Sequence, residues 1–158
     1  AIIGECLARI LEFLGHDVLR LNHIGDRGTA FGMLLAYIKQ FEPDVLNGKK
    51  AVDLTLLSQY YKAAKALFDQ DAAFKKQSQL AVVRLQEGDT GTKQAWEVIC
   101  QATRLGHQVI YDLLDINVIE RGESFYTPFL APLIQDLESK GLITVSDGAK
   151  CMFLDGFV

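Results

Sequence analysis

The residues best suited to chemistry lie in one polar stretch, Asn22-His23-Ile24-Gly25-Asp26-Arg27-Gly28. Asn22 offers both a donor and an acceptor, neutral His23 does the same, and Asp26 only accepts. Asp26 and His23 together have the composition of an acid–base pair, although polar residues in a turn are more often local hydrogen-bond partners. Gly25 and Gly28 permit backbone angles that other residues avoid and let a ligand approach the main chain. A second charged cluster, Glu120, Arg121 and Glu123, has the groups to clamp a substrate. The simpler reading is a solvated ion pair at i,i+1 or i,i+3 spacing, worth under about 1 kcal/mol. No order of Ser, His and Asp, or of Cys and His, forms a nucleophile set, so no residue is assigned a catalytic role.

The remaining reactive side chains are dispersed. Cys6, Cys100 and Cys151 lie far apart among apolar neighbours, which predicts free, buried thiols in a reducing compartment. His16, His23 and His107 are equally scattered, whereas a zinc site needs clustered ligands, so no metal site is indicated. Neither GxGxxG nor GxxxxGK[ST] occurs, which removes the dinucleotide fingerprint and the P-loop.

Stepping outward, the polar stretch is preceded by Val18, Leu19 and Leu21 and followed by an amphipathic run from Thr29. This is a strand (expected over 17–21), a glycine-bearing turn and a helix (expected over 29–41), the place where open α/β sheets hold ligands. An ordinary strand-to-helix connection explains the pattern equally well. Thr29 can cap the helix. Asp26 has two equal readings, a positioning role in a site or a cap at the helix's positive end.

Elsewhere the periodicity is helical. Ile3, Leu7, Ile10, Leu11 and Leu14 recur at helix spacing, and Gly15 suits the left-handed stop. Residues 42–52, with Pro43, Asn47 and Gly48, read as a loop. Three helices follow, over 53–70, 71–87 and 92–115, the second opened by Asp71 and closed by Gly88. The third carries an apolar stripe of Trp96, Ile99, Cys100, Ile110, Leu113 and Leu114, with Trp96 assigned to core. A short strand over 117–120 precedes a helix started by Thr127-Pro128, kinked or delayed at Pro132 and ended at Lys140-Gly141. Residues 142–145 and 149–154, joined by Ser146-Asp147-Gly148, predict a β-hairpin.

Composition sets broad limits. The 158 residues suit one compact domain, and 49% hydrophobic content supplies a core. A formal charge of −4 argues against strong nonspecific nucleic-acid binding by the whole chain. Residues 49–93 hold 8 of the 16 basic residues against 5 acids, a pattern read as a solvated helical surface before an RNA-facing one. No signal-peptide n-region and no membrane-length apolar run are present. Both ends, an uncapped apolar pattern after Ala1 and the apolar Phe157-Val158, read as cut.

Four segments carry a family resemblance: IIGECLARILEFLGHDVLRLNHIGD, NHIGDRGTAFGML, ERGESFY at 120–126 and DGAKCMFL at 147–154. In this order and spacing they resemble the arginyl-tRNA synthetases over nearly the whole chain. Two departures are Arg27, where the family more often has Trp, and Ala30, where it more often has Gln. The resemblance implies an α/β, predominantly helical fold. It would be a partial Rossmann-type nucleotide-binding core of a class I synthetase over 1–48, with a largely helical connective insertion over 49–158 that includes the hairpin. It implies a parent arginine–tRNA ligase acting on arginine, ATP and tRNA(Arg) with Mg²⁺, cytoplasmic and without membrane partners. It places Asn22, His23, Gly25, Asp26 and Gly28 on the wall of the substrate and ATP pocket. The family's HIGH and KMSKS-like motifs do not occur here and belong before Ala1 and beyond Val158, so the chain alone is expected to be inactive. Core surface left bare on Ile3, Leu7, Ile10, Phe157 and Val158 is expected to drive self-association. Two rival readings are a non-enzymatic helical interaction module derived from a synthetase segment and an unrelated nucleotide-binding α/β enzyme.

Overall fold

The computed structural model describes residues 1–156. Helix α1 (Ile2–Phe13) ends as its glycine dictates. Gly15 turns left-handed at φ +87°. Its N–H then reaches Glu12 O at 2.9 Å, and the His16 N–H reaches Leu11 O at 3.0 Å. These bonds satisfy carbonyls that the helix end leaves bare.

Strand β1 (Leu21–Asn22) is shorter than the 17–21 expected and displaced toward the turn. Its partner is β2 (Ile119–Glu120), parallel, with Leu21 opposite Ile119 and Asn22 opposite Glu120. Only where β2 lies alongside does the backbone find ladder partners, so the lead-in over 17–20 stays irregular. Bonds on either side, Ile119 N–H to Arg20 O at 2.9 Å and Glu123 N–H to Ile24 O at 3.0 Å, extend the pairing into both following loops.

Parallel strands need a long crossover, and here it is a helical bundle. It comprises α2 (Thr29–Phe41), α3 (Pro43–Leu46), α4 (Leu54–Gln70), α5 (Ala72–Gln86) and α6 (Thr90–Leu113). The segment over 42–52 is therefore not all loop. Pro43 sits in the first turn of α3, where its missing N–H costs nothing. Asp53, Asp71 and Asp89 cap α4, α5 and α6, accepting from Leu56, Ala73 and Thr92 N–H at 2.8 Å each. The Asp89 cap starts α6 two residues before the expected Thr92.

Helix α2 is apolar nearly all round and lies at the centre of the bundle. Leu34, Leu35 and Ile38 pack with Leu57 and Tyr60 of α4, Ala81 of α5, and Ala95, Ile99 and Ala102 of α6. Met33 and Ala36 face Ala64 and Phe74 on the other side. The α6 stripe is buried only in its first half: Ile99 is enclosed, while Ile110, Leu113 and Leu114 are exposed. The bundle ends before that second half, and small residues such as Ala95 and Ala102 make the contact instead.

After β2, a 3₁₀ turn (Glu123–Tyr126) runs directly into α7 (Thr127–Ser139). Pro128 lies in the first turn, and Pro132 is accommodated inside the helix without delaying its start. The hairpin forms from β3 (Thr144–Ser146) and β4 (Ala149–Cys151), with Ser146 opposite Ala149. Its turn is the two residues Asp147 and Gly148, at φ +49° and +79°, so Ser146 belongs to the strand. The cysteines are free, but Cys6 is exposed and the other two are half-buried, contrary to the buried thiols expected. For Cys6 the reason is that α1 turns only Glu5 and Ala8 inward.

Candidate functional site

The carboxyl ends of β1 and β2 lie side by side, so the loop over 22–28 meets the segment over 120–126. The five expected wall residues divide between two faces of this junction. Asn22 donates through Nδ2 to the Tyr111 hydroxyl at 2.5 Å, and its own carbonyl accepts from Arg121 N–H at 3.0 Å. His23 is exposed, with Nδ1 3.2 Å from Arg121 O, a bond that requires the Nδ1–H tautomer. Its ring meets Tyr126 edge-on at 5.7 Å between centroids. His23 and Asp26 are not bonded to each other, which removes the acid–base pair.

Asp26 is 8% exposed, and its side chain does not cap α2. The α2 N-cap is Gly28, at φ +90°, with no side-chain bond at that end. Asp26 lies two residues too early to reach those amides. Its carboxylate accepts instead from Ser124, from the N–H at 2.9 Å and from the hydroxyl. It thus serves the second amide of the 3₁₀ turn that leads into α7. Its carbonyl accepts from Trp96 Nε1 at 2.6 Å, which binds the same turn to α6. Gly122 fits under the carboxylate because it has no side chain: a Cβ there would stand 2.4 Å from Asp26 Oδ2. Gly25 does not occupy a left-handed angle, so of the two expected glycines only Gly28 needs one.

The charged cluster over 120–123 does not pair within itself. Glu120 takes a two-pronged bond from Arg104 of α6, at 3.1 Å from Nε and 2.8 Å from Nη2. Arg121 lies 4.9 Å above the Phe125 ring. Arg27, where the family more often has Trp, keeps its Nε buried without a partner. An unmet buried donor of this kind costs stability.

Beside the turn, a cavity of about 490 Å³ opens between α4 and α6, with Gly25 and Asp26 on its wall and Leu57 and Ile99 among its apolar lining. Asn22, His23 and Gly28 do not line it. The residues that complete this junction, Tyr111, Trp96, Ser124 and Arg104, were not marked as site residues by sequence. Trp96 gave the one usable signal, since an indole N–H in a half-buried position needs an acceptor.

The family model described as tRNA synthetases class I (R), catalytic domain, matches residues 1–158. The chain belongs to this family. Among its relatives, the arginine–tRNA ligase of Protochlamydia amoebophila (strain UWE25) is 54% identical over 156 residues, covering 99% of this chain and 27% of its own length. That of Nostoc punctiforme is 53% identical with the same coverage. The crystal structure of arginyl-tRNA synthetase from Plasmodium falciparum superposes with a TM-score of 0.81 at 31% identity, over 99% of this chain and 26% of that one. The helical bundle, parallel pair and hairpin are therefore a portion of a class I arginyl-tRNA synthetase catalytic domain. The chain spans about 27% of the length of the curated relatives it matches.

Proposed function

We propose that this chain works within an arginine–tRNA ligase, which activates arginine with ATP and esterifies it to tRNA(Arg). The family match along residues 1–158 carries this reading. Activation is an in-line attack of a carboxylate on the α-phosphate, for which the protein supplies alignment and charge stabilisation. In this reading residues 1–48 belong to the nucleotide-binding core and 49–158 to the connective insertion. The loop over 22–28 then borders the arginine and ATP pocket, with exposed His23 and half-buried Asn22 on its polar face and Gly25, Asp26 and Gly28 shaping it. The position of the loop at the carboxyl ends of two parallel strands supports this. Among the described residues no group of three or more His, Cys, Asp or Glu side chains is placed to hold a metal ion, and the Mg²⁺ of this reading would be held largely by the ATP phosphates and water. A cytoplasmic location accompanies the reading, and no helix among the described residues is long and apolar enough to cross a membrane.

Amino-acid-dependent ATP–pyrophosphate exchange by the longer protein carrying this chain tests the proposal. Exchange with arginine is expected; exchange with a different amino acid and not with arginine would overturn it. His23→Ala in that protein should raise KM for arginine or ATP, and unchanged kinetics would remove His23 from the pocket wall. The 158-residue chain by itself should show no exchange above buffer. It should also self-associate, because Ile3, Leu7 and Ile10 on α1 are 78%, 56% and 57% exposed. Phe157 and Val158, expected to share that surface, lie outside the described residues. A monomeric sedimentation profile at high concentration would count against the association.

A further inference from the structure

The cavity between α4 and α6 has the size of a small-molecule site, within the roughly 300–1,000 Å³ that such sites occupy. Its chemistry is unlike that of a pocket for arginine or ATP. Its lining is mainly apolar and includes Phe31, Leu34, Leu54, Leu57 and Ile99. Several of the polar side chains on the wall are already engaged, whereas His107 Nδ1 is buried without a partner. Ser58 Oγ and Thr103 Oγ1 each donate back to their own helix, to Leu54 O and Ile99 O at 2.9 Å. Arg104 is held by Glu120, and the Asp26 carboxylate by Ser124. Burial pushes the Cys100 thiol up to about 12, so it stays protonated and uncharged near neutral pH. The ionised groups on the wall are Lys62 and Arg104 against Asp26 and Glu120, a formal sum of zero.

A guanidinium or a triphosphate entering this space would give up its water against mainly hydrocarbon walls, and of the four ionised groups there Arg104, Glu120 and Asp26 are already engaged. An uncharged apolar body gains by the same exchange, because it displaces water from hydrocarbon walls and disturbs none of the existing bonds. We propose that this cavity binds a small, uncharged, mainly apolar molecule of one or two fused rings, distinct in chemistry from arginine and ATP. The inference stands on the cavity itself and does not rest on the assigned ligase activity.

Indole is a suitable probe, followed by methyl resonances of the 158-residue chain. Saturable shifts are expected at Ile24, Leu34, Leu54, Leu57 and Ile99 with one dissociation constant. Arginine and ATP should leave those methyls unmoved at the same concentrations. Ser58→Trp, a substitution at an exposed wall position, should weaken indole by at least about tenfold while the melting temperature holds. The longer protein should respond at the same methyls. Each of these results would overturn the proposal: no saturable shift, tighter binding of arginine or ATP at these methyls, indole affinity unchanged in folded Ser58→Trp, or a response of the 158-residue chain alone. The last would mean that the protein's own chain fills the space. Shifts confined to Leu105, Val109 and Leu113, on the exposed part of α6, would equally reject it as adventitious association.

Discussion

A nearly buried carboxylate that forms no salt bridge among the described residues must be satisfied by neutral donors, and Asp26 finds two on Ser124, 98 residues away. The sequence marks Asp26 as important because it is a small acid before a helix, but local spacing suggests the wrong partner. A cap has to sit at the N-cap position itself, and Gly28 occupies it. Replacing Asp26 by Ala leaves the Ser124 N–H without an acceptor, a loss of about 1–3 kcal/mol. For a domain of this size that lowers Tm by roughly 2–10 °C. Asp26→Asn keeps one oxygen for the N–H and turns an amide donor toward the Ser124 hydroxyl, which can accept, so it should lose less. Gly122→Ala should match or exceed the Ala effect at Asp26, because its Cβ would stand 2.4 Å from Oδ2. Urea denaturation of the three variants measures this. An unchanged midpoint for Asp26→Ala would show that the bond between the two loops contributes nothing.

Among the elements, those with complete local signals formed as expected. Asp71 with Gly88, and Asp147 with Gly148, supply both the chemistry and the punctuation for α5 and for the hairpin. Elements that depend on a distant partner were harder to delimit. Strand β1 begins where β2 reaches it, and the buried part of α6 ends where α2 and α4 end, neither of which is encoded nearby. Gly32 is the strongest case. In sequence it is a helix-weakening residue inside α2, yet it is the contact point with α5: a Cβ would fall 2.4 Å from Ser78 O and 2.6 Å from Val82 Cγ2. Backbone cannot give way as a flexible side chain would, so Gly32→Ala should force the helices apart at a cost of about 1–3 kcal/mol. Gly4→Ala in α1 provides the contrast. Its Cβ meets nothing within 4 Å, and Ala there should stabilise by about 0.5–1 kcal/mol. Thermal melts of both variants test the close approach, and equal behaviour would show that α2 and α5 have slack.

Across the whole molecule, the bundle and α1 are held by different forces. The bundle encloses Leu35, Ile38 and Ile99 almost completely, whereas α1 turns inward only Ala8 and Glu5. Its attachment runs through charges. Glu5 accepts from Arg9 Nε at 2.8 Å and Arg20 Nε at 3.0 Å, Arg20 also holds Glu12, and Arg9 Nη2 reaches Asp115 Oδ2 at 2.9 Å beyond the end of α6. The hydrogen bond from Arg9 is the main influence holding the Glu5 carboxyl below its ordinary value of 4.5, and that from Arg20 does the same for Glu12. A carboxyl whose folded value is depressed contributes stability that is present above the unfolded value and is lost as pH falls through the folded one. Acid should therefore release α1 first, below about pH 4.5, while the apolar bundle persists. Amide exchange at pH 7 and at pH 3.5, corrected for intrinsic rates, should show protection lost over Ile2–Phe13 and retained in α2 and the first half of α6. Glu5→Gln should lower α1 protection already at pH 7 and flatten its dependence on pH. High salt should act in the same direction as acid, because exposed charges are screened. Equal protection of α1 at both pH values would show that Ala8 and backbone contacts hold it and that the ion pairs are incidental.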